Sequence, residues 1–243
     1  MAQKKRLLFE VSALKKKYGD NQALNIKRLE IHPGTIYGVT GSFGSGKTTL
    51  LNILSGIEKQ TSGDVLYDDM PHERNWLGNL IPNDQIFYTK NLSDSSTILD
   101  VINTKFGKKR NIIKNRYFTV SALKHLLKRK LKDISSAEKN WLGMILAIEK
   151  DPRILLIDDY GIHFNTKLEL DFRNQIIKMN RNLGTTIIIS SPSDSYLKSF
   201  ASVLIYLDHG NISKIRTGFS KRPNRRNIKK SNYRSNNRNN KKR

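Results

Sequence analysis

The sequence contains no cysteine and no long apolar segment. Without cysteine, the chain can form neither a disulfide bond nor a thiolate metal site. None of its apolar runs approaches the roughly 18 residues that a membrane-spanning helix needs. Glu10 interrupts the apolar stretch that begins at Leu7–Phe9 after the basic N-terminus, so we expect no signal peptide. These absences favour a cytoplasmic protein, either soluble or peripheral on the inner face of the cell membrane.

Acidic residues are scarce, with 21 Asp and Glu against 44 Lys and Arg, which gives a net charge of +23. Residues 221–243 hold eleven of the basic residues, seven Asn and no acid. Residues 219–243 lack the apolar side chains to order themselves, so we predict a disordered basic tail. The first 220 residues keep a charge of +12. This charge favours an anionic partner such as a membrane surface, nucleic acid or the ribosome, although a solvated tail needs no partner.

A glycine-rich motif at Gly41–Thr48 matches the pattern G-x-x-x-x-G-K-[ST]. The preceding segment, Thr35–Thr40, is β-branched and aromatic and predicts a buried strand. The following segment, Thr48–Leu54, has apolar residues at helical spacing. A loop between a strand and a helix N-terminus is the context that phosphate binding requires, which argues against a chance match.

The chemistry of this loop predicts a nucleoside triphosphate as its ligand. Glycines let successive N–H groups point at a phosphate, and the helix N-terminus adds a partial positive charge of roughly half a unit. Lys47 would reach the β- and γ-phosphates, and the Thr48 hydroxyl would ligate Mg²⁺. The predicted ATP-binding residues of this segment are Gly41, Ser42, Phe43, Gly44, Ser45, Gly46, Lys47, Thr48 and Thr49.

Two adjacent carboxylates, Asp158 and Asp159, follow the apolar run Ile154–Ile157. Four unbroken apolar residues are typical of a strand that is buried on both faces of a parallel sheet. Since α/β sheets bind ligands at the carboxyl ends of their strands, this pair is a second candidate for ligand contact.

The remaining patterns predict an α/β domain that is interrupted by helices. We expect further strands at 7–13, 23–31, 65–67, 77–82 and 185–189, a loop at 15–19 and a hairpin at 203–215. We expect helices at 96–106, 120–131, 138–149, 167–182 and 193–200. Residues 85–150 are therefore predicted to contain an inserted helical subdomain.

This order of motifs resembles the ATP-binding subunit of ABC transporters over about residues 5–216. The resemblance implies a P-loop NTPase fold of the α/β class, with an ABC-type ATP-binding domain at 1–218 that includes an antiparallel β subdomain and the helical subdomain. It also implies ATP and Mg²⁺ as cofactors. The partners implied are a second ABC ATP-binding subunit, in a homo- or heterodimer, and a separate transmembrane permease subunit.

The resemblance assigns roles to two further residues. Tyr18 falls at an aromatic that stacks on adenine, unless it is only an ordinary half-buried tyrosine. Asp158 falls at the aspartate that holds Mg²⁺ through water, together with Thr48.

Three positions depart from the family pattern where water is activated. Asn83 replaces a glutamine that contacts Mg²⁺, Asp159 replaces the catalytic glutamate, and Ser191 replaces a histidine that contacts the γ-phosphate. Asn83 and Asp159 are each one methylene shorter, and Ser191 cannot act as an imidazolium. We treat these three as weak catalytic candidates.

The family signature Leu-Ser-Gly-Gly-Gln is replaced by Ile134–Glu138. Ser135, Ser136, Ala137 and Glu138 would contact the second subunit's nucleotide in trans, but both glycines are lost and a negative charge is added. The same residues are also typical of a capping box at the start of a helix. Asn165 replaces an aspartate at the dimer contact, while His163 and the other histidines, including His209, are expected to have packing or surface roles.

These substitutions predict that the chain binds ATP and Mg²⁺ but hydrolyses ATP slowly, as a subunit of a transporter. The alternative is a regulatory or nucleic-acid-associated ABC protein that uses the basic tail. A single cassette without a heptad run or cysteine favours the transporter.

Overall fold

The computed structural model describes residues 7–89, 95–119, 121–162 and 166–218. The strands are β1 (Phe9–Tyr18), β2 (Asn21–Ile31), β3 (Ile36–Thr40), β4 (Ser62–Tyr67), β5 (Met70–Pro71), β6 (Ile86–Tyr88), β7 (Ile154–Ile157), β8 (Thr186–Ser191), β9 (Val203–Asp208) and β10 (Asn211–Thr217). The helices are α1 (Lys47–Leu54), α2 (Ile98–Phe106), α3 (Arg110–Tyr117), α4 (Ser121–Leu126), α5 (Ser136–Lys150) and α6 (Thr166–Leu183).

A six-stranded sheet in the order β10-β9-β3-β8-β7-β6 organises the molecule. All neighbours in it pair in parallel except β9 and β10, which form an antiparallel hairpin. The residues of β3, β7 and β8 are all buried, as their continuous apolar runs predict. Because the carboxyl ends of parallel strands meet at one edge, the loops after β3, β6, β7 and β8 come together there.

A second, antiparallel sheet in the order β2-β1-β4-β5 covers one face of the first. Its apolar side chains share a buried cluster with α1 and the central strands, to which Leu14, Leu24, Val39 and Leu50 belong. This sheet confirms the predicted antiparallel β subdomain.

The helices α2 to α6 bury their apolar faces in a separate cluster on the other side of the large sheet. Helix α5 lies close to the end of β6, since a Cβ at Gly143 of α5 would lie 3.0 Å from Cβ of Thr89, the residue after β6. The absence of a side chain at 143 therefore lets α5 lie directly against the end of β6.

Three local predictions are wrong, and one strand was not predicted. Residues 77–82 form a loop rather than a strand, in which the Asn75 side chain accepts from the N–H groups of Leu77 and Asn79. The helix expected at 96–106 is present as α2, whereas β6 has no counterpart among the expected strands, because so short a segment is placed by its pairing with β7. The predicted loop at Lys15–Gly19 is mostly strand, since β1 continues to Tyr18 along β2. The helix expected at 193–200 is reduced to a 3₁₀ turn at Asp194–Tyr196.

Among the described residues, no helix combines the length and apolarity that crossing a membrane requires. The predictions for His163, Asn165 and the tail at 219–243 fall outside the described residues.

Candidate functional site

The glycine-rich loop leads from β3 into α1, and at two of its positions there is no room for a Cβ atom. Gly46 precedes α1 with a φ of 97°, and a Cβ there would lie 2.6 Å from the carbonyl oxygen of Ala23. A Cβ at Gly41 would lie 2.2 Å from the carbonyl oxygen of Leu207. The loop therefore packs against β2 and β9, and its curvature depends on the missing side chains.

Lys47, the first residue of α1, curls back over this loop. Its ammonium donates to the carbonyl oxygens of Gly41 and Ser42 at 2.8 and 2.7 Å and to Ser45 Oγ at 3.3 Å. Burial lowers the pKa of Lys47, while the nearby carboxylates of Asp159 and Asp158 act in the opposite direction. The ammonium thus lies where an anion in the loop would accept hydrogen bonds from it.

A cavity of about 420 Å³ opens in front of the loop. It is lined by Tyr18, Asn21, Gln22, Ala23, Phe43, Gly44, Ser45, Gly46, Lys47, Thr48, Thr49, Asp159 and His209. The structure thus brings together Tyr18, most of the predicted loop residues and Asp159. His209, for which the sequence indicated no site, also lies in this wall.

Tyr18 is 47% exposed at the rim of the cavity. Its hydroxyl donates to Glu58 Oε1 at 2.5 Å, and the ammonium of Lys16 lies 4.9 Å from the ring centroid. Burial and the bond to Glu58 raise the pKa of Tyr18, so it remains protonated at neutral pH. The ring is therefore fixed in place, and its stacking on a base stays a prediction.

Asp158 is held at the carboxyl end of β7 and is only 1% exposed. Its Oδ1 accepts a hydrogen bond from the hydroxyl of Ser190 and another, at 3.1 Å, from the backbone N–H of Asp159. Its Oδ2 accepts from the hydroxyl of Tyr88 at 3.2 Å. Burial and the adjacent Asp158 raise the pKa of Tyr88, which stays a donor.

Tyr88 and Ser190 also belong to this site, although no pattern in the sequence identifies them. Ile86–Tyr88 is too short to be recognised as a strand from its pattern alone. Ser190 is a small polar residue one position before the end of β8, and a serine at such a place is common and carries no specific signal. Their contacts with Asp158 depend on the order of the strands, because β6 and β8 lie on either side of β7.

Asp159 adopts a left-handed backbone with a φ of 55°, which aspartate tolerates better than most residues. Its N–H is shared between Asp158 Oδ1 and Ser190 Oγ, the latter at 3.0 Å. The side chain is partly exposed and faces the cavity in front of the loop.

Ser191 lies at the carboxyl end of β8 but is fully buried. Its hydroxyl donates to the carbonyl oxygen of Tyr160 at 3.0 Å. Of the described residues, those that line the cavity do not include Ser191. A catalytic role for Ser191 stays a prediction, and it would require this hydroxyl to leave its present partner.

The placement of Asn83 in this site is wrong. Asn83 precedes β6 and so lies at the amino ends of the parallel strands, opposite the loop. It lines a different cavity, of about 630 Å³, together with Pro82, Asp84 and Gln85. The residue that reaches Asp158 from this part of the chain is Tyr88, at the other end of β6.

Ser135–Glu138 forms the start of α5 as a complete capping box, which confirms that interpretation. Ser135 Oγ accepts from the N–H of Glu138 at 3.2 Å. Glu138 Oε2 in turn accepts from the N–H and the hydroxyl of Ser135, both at 2.7 Å. These bonds from Ser135 lower the pKa of Glu138, which is therefore ionised at neutral pH. Ser136 and Ala137 form the first turn of the helix.

The donor set fits a triphosphate with Mg²⁺. The loop offers N–H groups, a helix N-terminus and an ammonium, which suit phosphate oxygens. The hydroxyl of Thr48 and the carboxylate of Asp158 are hard oxygen ligands of the kind that Mg²⁺ takes together with phosphates. In the described part of the chain, no group of three or more His, Cys, Asp or Glu side chains is placed to hold a metal ion.

Two of the curated relatives that the chain resembles are ATP-binding proteins named for import or transport. The chain is 28% identical over 213 residues to the maltose/maltodextrin import ATP-binding protein of Photobacterium profundum, covering 82% of this chain and 56% of that protein. It is 27% identical over 208 residues to the lantibiotic transport ATP-binding protein of Streptococcus pyogenes, covering 84% of this chain and 89% of that one. The chain thus spans little more than half the length of the maltose relative.

Solved structures share the fold. A bacterial ABC transporter cassette, solved as a dimer, superposes with a TM-score of 0.71 at 22% identity and covers 87% of this chain and all of that one. Residues 24–160, which include the loop, Asp158 and the start of α5, match the family model described as "ABC transporter". With the loop geometry, the carboxyl-edge carboxylates and this match together, the chain belongs to the ABC transporter family.

Proposed function

We propose that this chain is the ATP-binding subunit of a membrane ABC transporter. It binds ATP with Mg²⁺, closes head to tail on a second ATP-binding subunit, and acts on a separate permease at the inner face of the membrane. The observation that carries the proposal is the arrangement of Lys47 and its glycine-rich loop at the same sheet edge as Asp158. The transport functions of the two named relatives support the same conclusion.

Hydrolysis by this subunit is slow in our proposal. Phosphoryl transfer depends on positioning and charge stabilisation, and a misplacement of about 1 Å can reduce a rate on the order of 10²-fold. Asp159 is one methylene shorter than the glutamate of the family pattern. The Ser191 hydroxyl is bonded to Tyr160, and the carboxylate of Glu138 occupies the start of α5.

A heterodimer suits these features better than a homodimer. In a head-to-tail pair each nucleotide lies between the loop of one subunit and the α5 start of the other. A partner with an ordinary signature and catalytic glutamate would place its signature opposite the loop of this chain and its glutamate opposite the α5 start of this chain, so each of the two sites would keep one intact half. Two copies of this chain would form two impaired sites.

Nucleotide binding and turnover on the purified chain test the proposal. We expect Mg²⁺-ATP binding by calorimetry that Lys47→Ala abolishes and that Lys198→Ala, at an exposed lysine, leaves intact. Turnover should be far below one per second and should rise in the Asp159→Glu, Ser191→His double variant. A chain without affinity for Mg²⁺-ATP, or a Lys47→Ala variant with undiminished affinity, would refute nucleotide binding; turnover of several per second would refute slow hydrolysis.

The eleven basic residues at 221–243 favour a second candidate, an ABC protein that acts on nucleic acid. Truncation after Gly218 separates the two functions. RNA binding that weakens steeply with salt and disappears on truncation would support the second candidate. Binding to anionic vesicles that is lost in the same way, without RNA binding, would support a tail that contacts the membrane.

A further inference from the structure

We infer that Tyr88 and Ser190 are positioning residues that orient the carboxylate of Asp158 toward a magnesium ion. The inference rests on the proposed function, because Mg²⁺ enters this site with ATP. Neither residue is predicted to contact the nucleotide. Both act through the carboxylate, from the two strands that flank it.

Strand register explains why these two hydroxyls meet one carboxylate. In the parallel pairing of β7 with β8, Ile157 lies opposite Ile189, so the next residues, Asp158 and Ser190, are neighbours. On the other side, Tyr88 lies opposite Leu156, two residues before Asp158. The longer side chain of Tyr88 spans this offset and places its hydroxyl 3.2 Å from Asp158 Oδ2.

The two hydroxyls bind different oxygens of the carboxylate. Ser190 donates to Oδ1, which also accepts the N–H of Asp159, and Tyr88 donates to Oδ2. With donors on both oxygens, rotation about the terminal torsion of Asp158 breaks at least one hydrogen bond. The carboxylate is thereby fixed in one orientation without its neighbours touching the ligand.

Because the carboxylate of Asp158 is buried, it depends on protein donors to hold its orientation. Tyr88 and Ser190 are buried beside Asp158, so little water reaches the carboxylate from the sheet side. A buried ionised group that lacks donors is costly, and a loosely oriented ligand binds a cation less well. Removing outer-shell partners of metal ligands typically lowers metal affinity 10- to 100-fold.

The test separates metal affinity from nucleotide affinity on the full chain. Tyr88→Phe and Ser190→Ala each remove one hydroxyl while keeping most of the shape. Mn²⁺ affinity of the ATP-loaded chain is measured by electron paramagnetic resonance, and ATP affinity is measured separately in excess EDTA. Tyr67→Phe is the matched control, because the Tyr67 side chain is also buried and its hydroxyl donates a hydrogen bond to Gln85, beside the other cavity.

We expect each variant to weaken Mn²⁺ binding about 10-fold, with ATP affinity in EDTA within about twofold of the unsubstituted chain and the Tyr67→Phe control unchanged. Unchanged Mn²⁺ affinity in both variants would overturn the inference while leaving nucleotide binding in place. An equal loss of ATP affinity in EDTA would also overturn it, because that result indicates a general structural role. An unsubstituted chain that binds no ATP would overturn the proposed function and the inference with it.

Discussion

The carboxylate of Glu138 accepts hydrogen bonds from both the backbone N–H and the hydroxyl of Ser135, at 2.7 Å each. These two donors stand at the N-terminus of α5, where a helix attracts anions. In the proposed dimer, where the α5 start faces the nucleotide of the opposite subunit, an internal carboxylate would therefore lie close to a phosphate. The start of α5 is well capped, and for the same reason it is a poor site for a second anion.

Glu138→Gln should strengthen ATP-dependent dimer formation. Glutamine keeps an oxygen for the capping box but removes the negative charge that would face a phosphate. With like-charge repulsion removed, we expect the dimer of the ATP-bound chain to tighten by about 10-fold or more, measured by analytical ultracentrifugation. Glu73→Gln, at an exposed site beside the other cavity, is the control. Equal dimer affinity for Glu138→Gln and the unsubstituted chain would contradict the prediction.

The capping box also predicts a pH dependence of stability. The pKa of Glu138 is lowered from its ordinary value of 4.5 by the bonds from Ser135. A carboxyl whose pKa is lower in the folded state stabilises the fold above its unfolded pKa, and this stabilisation is lost as the pH falls through the folded value. Urea unfolding between pH 6 and pH 3 should therefore show the unsubstituted chain losing stability relative to Glu138→Gln. A constant difference across this range would show that the carboxylate makes no such contribution.

Two glycines of the loop offer a matched pair of substitutions. Gly44 and Gly46 both have positive φ values, of 75° and 97°. A Cβ at Gly44 meets nothing within 4 Å, whereas one at Gly46 would lie 2.6 Å from Ala23 O. Gly44→Ala should cost only the backbone strain of roughly 1–2 kcal/mol, and Gly46→Ala distinctly more. Equal free energies of unfolding for the two variants would show that the contact with β2 is readily relieved.

Thr89 carries a buried hydroxyl that finds no hydrogen-bond partner among the described residues. Thr89→Val keeps the shape of the side chain and removes this hydroxyl. Leaving a buried polar group without a partner costs about 1–3 kcal/mol, so we expect the variant to be more stable by an amount near the lower end of that range. Thr40→Val, at another buried threonine, is the comparison. A destabilised Thr89→Val chain would indicate that the hydroxyl has a partner outside the described residues.

Local patterns predicted the parts of the site that depend on local chemistry. The loop at Gly41–Thr48 and the buried strand before Asp158 follow from residue types that are adjacent in the chain. The capping box at Ser135 is equally local. These features need no knowledge of which strands are neighbours.

The errors arose where tertiary pairing decides the outcome. The polar end of β1 at Lys15–Tyr18 looks like a loop, but it is a strand because β2 pairs with it. The short β6 lacks a periodic pattern, and a strand is expected at 77–82 instead. Asn83 is therefore expected at the end of a strand beside Asp158, where the structure has Tyr88. When the strand next to a motif is not recognised, the predicted position of a functional residue can therefore fall at the wrong edge of the sheet.

The missing side chain at Gly143 has a mechanical consequence. A Cβ there would already crowd Thr89, so α5 has almost no room to approach the end of β6 without displacing it. Thr89 follows Tyr88, whose hydroxyl holds Asp158. A tilt of α5 toward β6 would therefore press on Thr89, the neighbour of the residue that holds Asp158, and in the proposed function it would link closure of the two subunits to the orientation of that carboxylate.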